Sequence, residues 1–549
     1  MGFWEQMIEN PYGANPGWEW DGAEFRPTTW QTTVATAEVM AFNLRARGVG
    51  AGTVVPAVLT NGPEVTSAIL GIWLAGATVA SLPIIARGMT IPSYMTQLTR
   101  LCQALGAEWL LAEERFLQLM PPELRLGVDV LTYETLLSGH TGLAEPPALE
   151  ERIFIQFSSG TTAEPRGVEL SGLAIEAQLE MLARHLQLDP ERDLGYMWLP
   201  QSHDMGLFGC TLLARYAGIR GVKSTPERFL ESPRSWFDDC ARFGATITAG
   251  PPSAIAVATR AEQVRSSGES LSALRLCLVG AETISWSVLT KAADTFKDRG
   301  LGLDTFTPAY GLAEATLAVS IDRVDATPRY VDVDADRLGE ASVLEGKPGS
   351  ATTRRLVSSG TPLASTTVSI DAASGEVIVT SPSRASGYCG DAGRASQHSR
   401  TDALRTGDLG FLRDGHLYLY GRTDDLVIVG GRNIYVHDVE ATLSTDPGIR
   451  KGNCALIATG HESPRVGAVI EPASGEVDHE ALALRVGQVT LETAGLSLDE
   501  VVVLPQGAFP KTPSGKVQRY RCREILNEPG SGTRVLLRGA RPARIESTP

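Results

Sequence analysis

The sequence predicts an α/β protein. A large N-terminal domain of several subdomains, with largely parallel sheets and a small antiparallel β subdomain, is followed by a small, mobile α+β C-terminal domain. Three observations carry this reading. Short Val/Ile/Leu-rich runs alternate with amphipathic stretches, the order that builds parallel sheets. After Leu356 the texture changes to strand-like pieces separated by turns such as Ser374-Gly375 and Asp414-Gly415. Beyond Gly421-Arg422 another α/β stretch begins and runs to about residue 527. A chain of 549 residues is too long for one ordinary core. The expected division is 1–423, with the β subdomain at about 357–421, then 424–527, then a flexible tail at 528–549 rich in Gly, Pro and Arg.

Along the first domain the strand candidates are 54–59, 109–111, 154–157, 246–248 and 274–279, with helices at 175–186 and 287–297. Residues 67–85 carry no charge and approach the length of a membrane span. A helix over 68–75 closed by Gly76, then a buried strand over 78–82 ended by Pro83, accounts for them better. The β subdomain is expected to hold strands at 367–370, 376–380 and 417–420.

Hydrophobic residues make up 43% and charged residues 21%, an ordinary globular balance. Lys and Arg number 49 against 64 Asp and Glu, a net charge of -15 that disfavours nucleic acid as a partner but permits a local basic pocket. The seven cysteines contain no CxxC pair, so no zinc site or thioredoxin-like motif is indicated, and they fit reduced thiols in a cytoplasm. The opening MGFWEQMIEN lacks the features of a signal peptide, and Gln6 stands where a myristoylation motif needs Ser or Thr. A cytoplasmic protein with no integral membrane segment is expected.

The strongest local signal is strand 154–157 breaking off into residues 158–167, SSGTTAEPRG. Ser158, Ser159, Gly160, Thr161 and Thr162 offer backbone N–H groups and hydroxyls to one anion, with little side-chain bulk to keep a phosphate away. The GxxxxGK[ST] pattern of a Walker A loop is absent. Taken alone, a solvated turn competes with this reading. Four further stretches come after it in order: Pro308-Ala309-Tyr310-Gly311-Leu312-Ala313-Glu314, then Thr406-Gly407-Asp408, then Gly421-Arg422-Thr423-Asp424-Asp425 with Gly430-Gly431-Arg432-Asn433, and last Pro510-Lys511-Thr512-Pro513-Ser514-Gly515-Lys516. Each alone reads as a surface acid, an ordinary turn or a solvated lysine. Five in one order are a far rarer coincidence than any one of them.

Together these stretches resemble the signatures of the acyl-adenylate-forming (ANL) superfamily over about residues 30–522. The resemblance implies an ATP- and Mg²⁺-dependent enzyme that activates a carboxylic acid as acyl-AMP. Ser158 to Thr162 would cradle the β- and γ-phosphates. Arg166 stands where lysine is usual and Ala163 where glycine is usual, departures that occur in the fatty acyl-AMP ligase branch. Gly280, Ala281, Glu282, Ala309, Tyr310 and Gly311 are assigned to the nucleotide, with Tyr310 against adenine. Glu314 would hold Mg²⁺ through a hard carboxylate oxygen. Ala313 replaces a phosphate-binding threonine found in many relatives. Asp408 would accept both ribose hydroxyl protons, and Arg422 would add a ribose or phosphate contact. Asp424 is the hinge and Lys516 the catalytic lysine.

The finer branch rests on Trp198-Leu199-Pro200-Gln201-Ser202-His203-Asp204-Met205-Gly206-Leu207, on YGLAEATL at 310–317 and on GRNIYVHDVEAT at 431–442. These are similar to fatty acyl-AMP ligases, although Ile434, Val436 and His437 depart from that branch's common HYPQ pattern. His203 would then act beside the acyl carboxylate, and the acyl-pocket candidates are His203, Asp204, Met205, Gly206 and Gly250. The wider lining segments are 203–209, 248–255 and 280–283. The polar stretch between Ser320 and Gly360 lies where the branch carries an insertion that hinders closure for coenzyme A. The implied second step passes a fatty acyl group to the phosphopantetheine thiol of an acyl carrier protein supplied in trans, for lipid, polyketide or lipopeptide assembly. An acyl-CoA synthetase, or a non-catalytic nucleotide-binding regulatory protein of the same fold, remains the alternative.

Overall fold

Strands Val54–Val58 and Thr78–Leu82 are buried along almost their whole length, as strands covered on both faces must be. The computed structural model describes residues 2–85, 90–119, 128–138, 146–157, 166–334, 353–389, 403–423, 426–429, 432–459, 465–475, 477–494, 496–512, 515–527 and 532–537. A large unit runs to Tyr420 and a small one begins at Gly421.

The large unit contains two mixed sheets, the first parallel but for one margin and the second parallel between two antiparallel margins. The first has the order Gly387–Tyr388, Gly167–Ser171, Arg152–Phe157, Thr78–Leu82, Val54–Val58, Trp109–Ala112, Asp129–Thr132. Its last five strands are parallel, Gly167–Ser171 turns back along Arg152–Phe157, and Gly387–Tyr388 pairs antiparallel with Gly167–Ser171. The second runs Thr361–Pro362, Ala318–Ile321, Phe306–Gly311, Leu276–Val279, Ile247–Gly250, Leu194–Met197, Arg220–Lys223, Pro16–Trp20, Phe25–Thr29. Its six central strands, from Phe306–Gly311 to Pro16–Trp20, are parallel. One buried cluster runs through both sheets, with Phe154 of the first meeting Phe208 edge-on at 5.2 Å. The uncharged stretch is core: helix Pro63–Leu74 ends where Gly76, at φ 85°, donates to the Trp73 carbonyl, and strand Thr78–Leu82 follows. No described helix is long and apolar enough to cross a membrane.

The antiparallel subdomain consists of Thr367–Ile370, Glu376–Thr380, Leu404–Arg413 and His416–Arg422. Asp414 and Gly415 both take positive φ, as a two-residue hairpin turn requires. Sequence reading did not single out Leu404–Arg413, whose many polar residues hide a strand with the Thr406-Gly407-Asp408 motif at its middle. The stretch between Ser320 and Gly360 contributes a ribbon, Tyr330–Asp334 against Thr353–Val357. Residues 335–352 lie outside the described residues.

In the small unit the sheet order is Ile449–Thr459, Arg465–Pro472, Glu500–Val503, Thr533–Leu536. Side chains alternate between its faces with the two-residue period of a strand. Cys454, Leu456, Val466, Ala468, Val501 and Val503 pack towards helices Val436–Leu443 and His479–Ala494. Ala455, Ile457, Val469 and Val502 pack towards Phe509 and helix Arg519–Asn527. Thr533–Leu536 corrects the expectation that everything beyond residue 528 is tail. Val535 packs on the sheet and the strand pairs with Glu500–Val503, which outweighs the Gly/Pro-rich flanks.

The parallel strands of the second sheet are stitched together at their N-terminal ends. Asp193, its side chain without solvent exposure, accepts from Arg275 at 3.0 and 2.8 Å, from Thr246 Oγ1 at 3.0 Å and from the Asp189 amide at 2.9 Å. These partners precede or begin three neighbouring strands. Burial opposes the charge, but hydrogen bonds from Arg275, Arg192 and the Asp189 amide outweigh it and hold the carboxyl well below the usual carboxylate range. Asp193→Ala should therefore lower stability by about 3 kcal/mol at neutral pH, seen as a lower urea midpoint. Because the folded carboxyl is depressed, the difference between wild type and variant should persist on acidification. It should shrink only below the ordinary carboxylate range.

Candidate active site

In open parallel sheets ligands bind beyond the carboxyl ends of the strands. Five sequence-predicted stretches lie at such ends. The loop from Ser158 follows Arg152–Phe157, His203 follows Leu194–Met197, Gly250 ends Ile247–Gly250, Gly280 follows Leu276–Val279, and Tyr310 and Gly311 end Phe306–Gly311. The last four belong to adjacent strands of one sheet. Ser158, Ser159, Gly160, Thr161 and Thr162 themselves, and Asp424, Gly430 and Gly431, lie outside the described residues.

The segment before His203 is held by buried hydrogen bonds. Asn61 donates to the carbonyls of Leu199 and Ser224, and accepts from the Gln201 amide, each at 3.0 Å. Thr66 donates to the Gln201 side chain at 3.0 Å. From strand Arg152–Phe157, buried Gln156 donates to the Ser202 carbonyl at 2.9 Å, so that strand and the His203 segment are tied together. His203 caps a short helical turn, with Nδ1 2.6 Å from Asp204 Oδ1 and 3.3 Å from the Met205 amide. The Met205 amide also donates to Asp204 Oδ1 at 2.7 Å, so imidazole, carboxylate and amide form one tight group that leaves Nε2 as the ring nitrogen pointing away from it.

The next turn, Leu207–Leu212, is π-helical, a wide form that recurs at functional sites. Beside it lies a small apolar pocket. Gly209 and Cys210 form one side, and Tyr196, Met197, Thr248 and Leu278 from the sheet form the other. Of the acyl-pocket candidates, Gly206 and Gly250 serve close packing. A Cβ on Gly206 would run into the Pro200 carbonyl, and one on Gly250 into the Trp236 ring. Met205 is buried.

Two contacts join motifs distant in sequence. The Tyr310 hydroxyl donates to Asp408 Oδ2 at 2.5 Å across 98 positions. The Tyr388 hydroxyl donates to Glu314 Oε1 at 2.9 Å, and the Arg166 guanidinium lies 5.5 Å from the Tyr388 ring centre. Burial, then the Glu314 charge, pushes the Tyr388 phenol up against the opposing pull of Arg166, so it stays protonated and remains the donor. Sequence reading missed Tyr388. Its strand is two residues long and gives no periodic signal. The loop that places Glu314 is tight: a Cβ on Gly311 would run into the Leu317 carbonyl, which accepts the Leu312 amide at 2.8 Å. Thr316 closes it at φ 67°, in the left-handed region, with its hydroxyl donating to the Ser383 carbonyl at 2.6 Å.

Ala281 also has a left-handed backbone, and Gly280 approaches the Ala309 carbonyl. Glu282 caps helix Pro252–Val264, accepting from the Ser253 amide at 3.0 Å and hydroxyl at 2.8 Å. Arg422 and Lys516 belong to the small unit. Lys516 is half-buried in a turn closed by the Lys511–Val517 bridge, and its ammonium has no hydrogen bond or ion pair among the described residues.

The chain belongs to the AMP-binding enzyme family, whose model matches residues 19–389. Within that family it is a fatty acyl-AMP ligase, an enzyme that forms acyl-adenylates. Over 413 residues, 68% of this chain and 69% of the relative, it is 30% identical to the long-chain-fatty-acid–AMP ligase FadD28 of Mycobacterium tuberculosis. Over 399 residues, 67% of either chain, it is 29% identical to the medium-chain-fatty-acid–[acyl-carrier-protein] ligase JamA of Moorena producens. The fold superposes with a TM-score of 0.69 at 25% identity, over 95% of each chain, on the fatty acyl-adenylate ligase of Legionella pneumophila in complex with acyl adenylate and pyrophosphate.

Gly250→Ala should destabilise the large unit by about 2 kcal/mol, because the methyl must displace the Trp236 ring from a filled core. Equilibrium denaturation followed by tryptophan fluorescence measures it.

Proposed function

We propose that this enzyme condenses a fatty acid with ATP to give acyl-AMP and pyrophosphate, and then passes the acyl group to the phosphopantetheine thiol of an acyl carrier protein. The observation that carries the first step is the Tyr310–Asp408 hydrogen bond, which sets an aromatic face and a carboxylate side by side at a strand end. Such a pair suits adenine on the ring and ribose hydroxyls on the acid. A carboxylate oxygen of the fatty acid attacks the α-phosphorus in line, the new P–O bond forms, and the bond to the β-phosphate oxygen breaks.

The residues align and neutralise rather than react. Ser158, Ser159, Gly160, Thr161 and Thr162 cradle the leaving phosphates, and Arg166 and Arg422 supply positive charge. Gly280, Ala281, Glu282, Ala309 and Gly311 border the nucleotide. His203, oriented by Asp204, offers Nε2 beside the acyl carboxylate. The apolar pocket beside Leu207–Leu212 is the candidate for the alkyl chain, because its walls are apolar and that turn continues the helix His203 caps. Lys516 bridges the acyl carboxylate and the α-phosphate.

Glu314 suits Mg²⁺. That ion typically takes one or two carboxylates, substrate phosphates and water rather than an all-protein cage, and Glu314 is a single carboxylate held by Tyr388. When bound, Mg²⁺ supplies charge neutralisation on the phosphates. For the second step the small unit turns about Asp424, withdrawing Lys516 and admitting the thiol. The carrier-protein acceptor is supported by the JamA relative, and the fatty substrate by JamA and FadD28.

Three outcomes test this reading. Lys516→Ala should cut acid-dependent pyrophosphate release at least a hundredfold, about 2.7 kcal/mol, while sparing transfer from supplied acyl-AMP. Equal loss in both steps removes the lysine from its role. Asp408→Ala should weaken a non-hydrolysable ATP analogue at least tenfold, about 1.4 kcal/mol, by titration calorimetry. Offered both acceptors, the enzyme should form acyl-carrier protein in preference to acyl-CoA, and efficient acyl-CoA formation would make it an acyl-CoA synthetase.

A further inference from the structure

The geometry points to Arg519 and Glu440 as the pair that positions Lys516, an inference resting on the catalytic role proposed for that lysine. Among the described residues, the contacts of Lys516 lie within its own turn. The Thr512 amide donates to its carbonyl at 2.7 Å, its amide donates to Thr512 Oγ1 at 3.0 Å, Gly515 takes φ 90°, and the Gln518 amide reaches the Pro510 carbonyl at 3.1 Å. A turn closed on itself still has to be anchored to the body that carries it. The next residues supply the anchor.

Arg519 opens helix Arg519–Asn527, three positions after Lys516, with its side chain almost wholly buried. Its guanidinium grips both oxygens of Glu440 at 2.9 and 2.7 Å. Glu440 stands on helix Val436–Leu443, which packs on the opposite face of the sheet. The pair therefore reaches round the edge strand Ile449–Thr459 and takes up that strand's outward groups. Leu456 N–H donates to Glu440 Oε1 at 2.7 Å, and its carbonyl accepts from Arg519 at 3.1 Å. One ionic clamp thus joins both helical layers, the free edge of the sheet and the base of the lysine turn.

A buried ion pair is a poor device for stability alone, since apolar residues of similar volume often do as well or better. A bidentate pair with its remaining groups satisfied is directional, and fixes a position that apolar packing leaves loose. The clamp acts on Lys516 through the backbone, so Arg519 and Glu440 are positioning residues and touch no substrate.

The test compares Arg519→Met/Glu440→Leu, Arg519→Lys and Lys516→Ala in the full chain, using acid-dependent pyrophosphate release, acyl transfer from supplied acyl-AMP, and thermal unfolding. The double variant should keep its midpoint within a few degrees while kcat for adenylate formation falls at least tenfold. KM for ATP and for the acid should stay within twofold, and transfer from acyl-AMP should be spared. Arg519→Lys, which keeps the charge but loses the fork, should recover part of kcat. A folded double variant with kcat within twofold of wild type overturns the inference, as does a loss of midpoint with kcat per folded molecule unchanged. If the double variant fails to fold, Arg519→Lys decides, and unchanged kcat there overturns it. If Lys516→Ala keeps full adenylation, the lysine's assigned role fails first and this inference falls with it.

Discussion

The site depends on one close backbone approach. Between Gly311 and Leu317 the chain folds back until the Leu317 carbonyl occupies the space a side chain at 311 would need. That contact decides two directions at once. Before it, strand Phe306–Gly311 ends with Tyr310 turned to Asp408; within it, the short helical turn presents Glu314 to Tyr388. Thr316 holds a left-handed backbone that a β-branched residue seldom adopts, at a cost of order 1–3 kcal/mol that surrounding packing and its bond to Ser383 offset. The aromatic face and the carboxylate are therefore placed by backbone sterics, and their own hydrogen bonds refine what the loop has set.

The two ends of the second parallel sheet divide the labour. At the N-terminal end, Asp193 and its arginines hold three strands in register around a carboxylate out of reach of solvent. At the C-terminal end the same strands finish in the glycines, hydroxyls and titratable groups of the candidate site. Strong, satisfied ionic contacts at one pole free the other to keep polar groups only partly engaged, which binding requires. The small unit obeys a related logic, with apolar layers on both faces of its sheet and ionic contacts at its edges, Arg519 to Glu440 at one and Arg534 to Glu500 at the other.

Much of this was legible in the sequence, for identifiable reasons. Fully buried strands such as Thr78–Leu82 and alternating ones such as Glu376–Thr380 announce themselves by period, and the helix stop at Gly76 by its residue type. The family followed from several motifs in order. What stayed hidden was direction and partnership. Nothing local tells that Gly206 and Gly250 pack against a carbonyl and an indole. Nor does anything local tell that Glu282 caps helix Pro252–Val264 through Ser253. Tyr388 lies 74 positions from Glu314 on a strand too short to carry a pattern. Leu404–Arg413 and Thr533–Leu536 are strands by virtue of their neighbours, since each is polar or flanked by turn-forming residues.

The pocket beside Leu207–Leu212 has walls of unequal stiffness. On one side stand side chains of a parallel ladder, where any change of volume is felt by neighbouring strands. On the other stand the widened turn carrying Gly209 and Cys210, Leu213 and Ala214 of the helix after it, and Leu186, Leu188 and Ile219. Evolution can remodel such a chamber from one side only: the ladder serves as a fixed floor, and the turn as a ceiling whose height can be reset by one residue without rebuilding the house.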